Sequence, residues 1–158
     1  MSESRQGERH IRDHKPSPIN PLPATYEANY RLLICLTAAP ESIPQYARLF
    51  GEDGMGLKVE VVERCRYTTT LELTHCFQMT DHYLTDPAMK VRIYHDARLV
   101  EVLGCRNQHR FHAIRPFMKS NTPFLTQKRQ VNAFLKEWLS YCLQQRYRLG
   151  DEACSKPL

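Results

Sequence analysis

The sequence predicts a single α+β domain: a mainly antiparallel β-sheet of about four strands, with an N-terminal helix and a long C-terminal amphipathic helix packed on it. Three observations predict this. Between residues 57 and 104 apolar and polar side chains alternate with period two, the signature of half-buried strands. After Pro123 the period changes to that of a helix. The strands also run together and are flanked by helices rather than interleaved with them, which favours antiparallel neighbours.

Taken in order, residues 1–23 hold Pro16, Pro18, Pro21 and Pro23 and few large apolar side chains. That is too little burial to offset the entropy of ordering, so they are read as a disordered tail. The domain is placed at 24–147 and a second tail at 148–158. Thr25 is a fair N-cap for a first helix, Tyr26, Tyr30, Leu33, Ile34 and Thr37 share one face, and Pro40 ends it. A short second helix is expected over 44–50, with Pro44 in its first turn and Gly51 closing it. Glu52, Asp53, Gly54 and Gly56 make a turn-rich loop.

Strands are expected over 57–66 and 68–78, where Leu57, Val59 and Val61, then Leu71, Leu73, His75 and Phe77, fall on alternate positions. Residues 79–88, with Pro87, read as a loop. The hairpin that follows is the organising element. Met89, Val91 and Ile93 alternate with Lys90, Arg92 and Tyr94; His95, Asp96 and Ala97 interrupt; an apolar run resumes at 99–103. Strands are therefore set at 89–95 and 98–104, the second ended by Gly104, with 110–114 as a short extension stopped by Pro116. The final helix, 126–145, is the clearest element. Val131, Phe134, Leu135, Trp138, Leu139 and Cys142 recur at helical spacing, and Trp138 sits at the centre of that stripe.

Composition narrows the function classes. No apolar run is long enough to span a bilayer, and the polar N-terminus has no apolar core of a secretory signal, so a cytoplasmic protein without membrane partners is expected. The six cysteines form no C-x-x-C pair and are expected to be reduced, with Cys35 and Cys142 as small core residues. The nearest approach to a metal site is Cys105, His109 and His112, at poor ligand spacing, so neither metal nor cofactor is expected. The net charge is +5 and unevenly spread: residues 24–88 carry five Lys/Arg against nine Asp/Glu, residues 89–129 nine against two. Such a basic segment attracts anionic partners or is plain solvated surface.

Two constellations carry chemistry. His95 beside Asp96 suits general acid–base work, because imidazole titrates near neutral pH; the alternative is a hairpin turn, for which aspartate is well suited. Arg66, Arg92, Arg98 and Arg110, with Tyr67 and Tyr94 beside them, suit an anionic partner such as RNA or a nucleotide, through forked donors and stacking. The alternative pairs arginines with Glu60, Glu63, Glu72 and Glu101 across strands. No phosphate-cradling glycine loop and no G-x-S-x-G are present.

Three stretches carry a resemblance: Arg66-Tyr67-Thr68-Thr69, the run VRIYHDA over 91–97, and QVNAFLKEWLSYCL over 130–143. In order and spacing they resemble the YqiB-like family of small bacterial proteins, a domain of unknown function. The resemblance covers roughly residues 25–145. It implies a bacterial cytoplasmic protein and supplies no activity, cofactor or catalytic residue. The reading is a non-enzymatic binding or regulatory protein with a basic surface, its partner RNA, a nucleotide or another protein; the alternative is an enzyme working through His95 and Asp96.

Overall fold

The computed structural model describes residues 22–77, 83–107, 110–113 and 124–149, with the backbone alone at 77, 83–87, 106–107 and 110–113. Helix α1 spans Leu22–Thr37, and a 3₁₀ turn follows at Pro40–Ser42. Strands β1 (Tyr46–Phe50), β2 (Met55–Arg64), β3 (Thr68–Phe77), β4 (Tyr83–Tyr94), β5 (Leu99–Asn107) and β6 (Arg110–Ala113) come next. Helix α2 (Phe124–Gln144) and a two-residue strand β7 (Arg148–Leu149) complete the described chain.

The sheet order is β6-β5-β4-β3-β2-β1-β7, and every pairing is antiparallel. Each of the first six strands thus lies beside its sequence neighbour, as short connections demand. The α+β architecture, the antiparallel 89–104 hairpin and the C-terminal helix are as the sequence predicts. The strand count is not: among the described residues, six strands of four or more residues and the short β7 replace about four.

The differences have identifiable causes. The expected helix at 44–50 is strand β1, in which Ala47 and Leu49 are buried between half-buried Tyr46, Arg48 and Phe50. Five residues are too few to separate the two periods, and pairing with β2 decides. The expected loop at 79–88 is strand from Tyr83, and Pro87 is accommodated in an irregular stretch where the β3–β4 register shifts. Gly104 does not end β5, which runs to Asn107 against β6. Helix α1 begins at Leu22 and buries Asn29, Leu33, Leu36 and Thr37, a stripe rotated from the expected one; Tyr26, Tyr30 and Ile34 are half-buried and Cys35 is exposed.

One face of the sheet is the core. Leu49, Leu57, Val59, Leu71, Leu73, Met89, Val91, Ile93, Val100 and Val102 are fully buried there. Helix α2 lies on this face and contributes Val131, Leu135, Trp138, Leu139 and Cys142, as its periodicity foretold; Phe134 alone of that stripe is exposed. Each large apolar side chain so buried contributes about 1.5–3 kcal/mol. Helix α1 packs on α2 and along β5.

Two β-bulges interrupt the ladder. Val62 is an extra residue in β2, between the pairs Val61–Leu71 and Glu63–Thr70. Leu103 is an extra residue in β5, between Val91–Val102 and Lys90–Gly104. The β6 register begins only at Gly104, so the first half of β5 lies at the sheet edge, and an α2 side chain caps it: the Val102 N–H donates to Asn132 Oδ1 at 2.9 Å. Asn132 Nδ2 donates to Lys128 O, and Asn29 Nδ2 of α1 donates to Asn132 O at 3.2 Å. Among the described residues no helix is long and apolar enough to cross a membrane.

Candidate functional site

Two hairpin turns meet at one end of the sheet. The β2–β3 turn carries Cys65, Arg66 and Tyr67, and the β4–β5 turn occupies 95–98. The second is a hydrogen-bonded turn in which Arg98 N–H donates to His95 O, with Arg98 in the left-handed region at φ 53°. The turns are joined: His95 N–H donates to Tyr67 O at 3.0 Å. Arg64 holds the preceding segment in place, donating from Nη2 to Ile43 O at 2.7 Å and from Nη1 to Pro40 O at 3.3 Å. That brings the 3₁₀ turn and Glu41 to the same end.

His95 therefore does not face outward beside Asp96. Its Nε2 lies 2.9 Å from Thr69 Oγ1, and its Nδ1 lies 3.9 Å from Glu41 Oε1, beyond hydrogen-bond range; the buried Nδ1 has no hydrogen-bond partner among the described residues. Asp96 is exposed in the turn. Hydroxyl, imidazole and carboxylate follow one another in the order of a nucleophilic triad. Thr69 is only 1% exposed, however, so its hydroxyl is closed to any substrate, and the arrangement serves to tie β3 to the turn.

Arg66 and Tyr67 are exposed, Tyr67 to 55%, and the Arg66 guanidinium lies 5.2 Å over the Tyr67 ring. Arg98 is exposed on the neighbouring turn. Arg92 and Tyr94 lie on the face of the sheet opposite the core. Arg92 Nε donates to Thr70 Oγ1 at 3.3 Å and its Nη2 is 3.9 Å from Glu63. Tyr94 OH donates to Glu101, whose other oxygen is 3.0 Å from Lys128 Nζ of α2. Burial works to raise the Glu101 carboxyl, but the bonds from Tyr94 and Lys128 overcome it and hold the group below the usual carboxylate range. Burial and the Glu101 bond push the Tyr94 phenol up. Arg110 lies on β6, paired with Asn107; its side chain, like those of Arg106, His109 and His112, is outside the described residues. The described cations of 89–129 are engaged in different places. Lys128 is spent on Glu101, Arg92 stands against Glu63, and Arg98 is on the turn.

The opposite end holds a cluster that sequence reasoning missed. In the β1–β2 turn Asp53 Oδ2 accepts from Tyr141 OH at 2.7 Å and Tyr147 OH at 2.9 Å, and Oδ1 accepts from Met55 N–H. Burial works to raise Asp53, but these bonds carry it below its ordinary value. Nearby, Trp138 Nε1 donates to His75 Nε2, and burial lowers the His75 pKa against the opposing pull of Asp53. Burial pushes the Cys142 thiol up to about 12. The one legible signal was His75 itself, an imidazole at a core position of an alternating strand; nothing marked Asp53 or Tyr147. Burial and the bonds to Asp53 raise the two tyrosines and keep Asp53 in its charged form, which holds the β1–β2 turn against the end of α2. Among the described residues no group of three or more His, Cys, Asp or Glu is placed to hold a metal.

The chain matches, over residues 31–148, the model of a family described as protein of unknown function DUF1249. It belongs to the DUF1249 family. The YqiB-like resemblance points the same way. The uncharacterized protein YqiB from three strains of Escherichia coli (K12, O6:H1 and O157:H7) is 35% identical over 86 residues, 54% of this chain and 61% of the relative. The match thus spans about three fifths of the length of these relatives. No solved structure matches the chain. The DUF1249 match takes in β1–β6, α2 and the first residue of β7, and with them both turns and the Asp53 cluster.

Proposed function

We propose that the protein is a non-enzymatic, cytoplasmic binding protein that engages an anionic partner, RNA or a nucleotide, at the hairpin end of its sheet. One observation carries this reading: the exposed Arg66–Tyr67 stack. A guanidinium and an aromatic face presented together suit a phosphate and a base. Arg98 on the adjoining turn adds a second cation, and the His95–Tyr67 backbone bond fixes the two turns relative to each other. Arg92 and Tyr94, engaged with Thr70, Glu63 and Glu101, contribute less than their place in the sequence suggests.

The test is a binding titration against short single-stranded RNA at several salt concentrations. Phosphate contacts release counterions, so log affinity falls linearly with log salt, and Arg66→Ala makes that slope shallower by about 0.7. Tyr67→Ala weakens binding by about 1–3 kcal/mol if a base stacks on it. Absence of wild-type binding at low salt sinks the proposal. A second reading, acid–base chemistry at His95 and Asp96, draws on the unpartnered Nδ1 of His95. The burial of Thr69 and the 3.9 Å gap to Glu41 count against it.

A further inference from the structure

The hairpin end of the sheet carries one group that phosphate binding does not call for. Asp96 is exposed on the same turn as Arg98, and it makes no hydrogen bond or ion pair among the described residues. The nearby carboxylates have neighbours of their own: Glu41 stands against His95, and Glu63 against Arg92. The backbone fixes where Asp96 sits. His95 N–H donates to Tyr67 O, so Asp96 is the residue next to the one bonded to Tyr67. Strand-pair and chain spacings put its Cα no more than about 9 Å from that of Tyr67. An unpartnered carboxylate thus stands beside an aromatic ring that is 55% exposed and carries the Arg66 guanidinium 5.2 Å over it. Towards a phosphate such a carboxylate is repulsive. Towards the edge of a base it is a selector.

We propose that this tip selects guanine: the base stacks on Tyr67, Asp96 accepts from its N1–H and N2–H, and Arg66 and Arg98 take phosphate. The inference rests on the nucleotide-binding reading of the same tip. An ionised carboxylate is acceptor-only and offers two oxygens. Guanine alone presents two adjacent donors on its Watson–Crick edge. Adenine and cytosine place an acceptor beside their amino group, and uracil has one N–H between two carbonyls, so each sets a lone pair against the second carboxylate oxygen. Unpaired bases are read in this way, by stacking together with hydrogen bonds at that edge. The guanine can belong to a strand or to a free nucleotide. Two arginines on separate turns favour the strand, which offers more than one phosphate.

The experiment measures binding, at low salt, of four single-stranded RNA pentamers of uridine whose central base is guanine, adenine, cytosine or uracil, with guanosine monophosphate as a fifth ligand. The guanine pentamer is expected to bind about tenfold more tightly than the other three. Asp96→Asn keeps a turn-forming residue but puts a donor where guanine needs an acceptor. It is expected to cost the guanine pentamer about tenfold and to leave the other three bound as tightly as before or more so. A wild type without base preference overturns the proposal, as does a preference that survives Asp96→Asn, or an equal loss for all four pentamers, which is the mark of a damaged turn. Guanosine monophosphate bound as tightly as the guanine pentamer upholds the base assignment and makes the free nucleotide the ligand. Binding without preference sinks the guanine assignment alone; absence of binding by every ligand sinks the tip reading with it.

Discussion

Trp138 Nε1 donates a hydrogen bond to His75 Nε2 at 3.2 Å, with the two rings edge to face at 5.0 Å between centroids. The bond requires His75 to be neutral with its proton on Nδ1, because a protonated imidazole has no acceptor. Helix α2 is thereby pinned to β3 by a contact that pH controls.

Burial lowers the His75 pKa below its ordinary 6.5, so the unfolded chain takes up this proton before the folded one. The stability it contributes is complete above about pH 6.5 and declines as pH falls towards the folded pKa. Trp138 is the sole tryptophan, so its fluorescence reports the event directly. The expected outcome is an emission transition with a midpoint below pH 6.5 that His75→Gln abolishes. A transition at or above that value, or one that survives the substitution, contradicts the assignment.

Gly51 is required by close approach. A Cβ there would lie 2.0 Å from Tyr147 Cε1, against the ring whose hydroxyl reaches Asp53. Gly51→Ala should destabilise the domain by about 1–3 kcal/mol through overpacking. Adding Tyr147→Ala should make the double variant less costly than the sum of the two. Urea denaturation of the four proteins measures this, and strict additivity would place the clash elsewhere.

Asn132→Ala removes the acceptor of the Val102 N–H at the edge of β5. A buried donor left without a partner costs about 1–3 kcal/mol. Hydrogen exchange at the Val102 amide should accelerate more than at Val91, inside the sheet. Equal rates would mean that another group caps the edge.

Arg98 sits at φ 53°, where a side chain costs about 1–2 kcal/mol and glycine costs nothing beyond its own chain entropy. Arg98→Gly is expected to raise stability by about 0.5–1 kcal/mol, read as a higher denaturation midpoint. A loss of stability would show that the arginine side chain makes a compensating contact.

Residues whose partners are near in sequence were the legible ones. The 89–104 hairpin and the apolar stripe of α2 declare themselves because one short window holds the whole pattern. Strand β1 does not: five residues fit either period, and its partner β2 settles the matter. Arg92 looked available because alternation tells which face a side chain occupies and nothing about Glu63 opposite. Asp53 meets Tyr141 and Tyr147 only because α2 returns to the first hairpin, and no local rule joins residues about ninety positions apart. His95 and Asp96, adjacent in the chain, are separated by the turn they make.

The sheet's order has a bearing on synthesis. From β1 to β6 each strand finds its partner in the chain just made, so the sheet can assemble progressively as the polypeptide emerges. The helix that covers its apolar face is translated after all six. Until Val131, Leu135, Trp138 and Leu139 leave the ribosome, the nascent sheet exposes Leu57, Val59, Leu71, Leu73, Val91 and Ile93 to the cell. A nascent chain that ends before α2 therefore carries an uncovered apolar sheet face, the kind of surface that makes incomplete folds prone to aggregate.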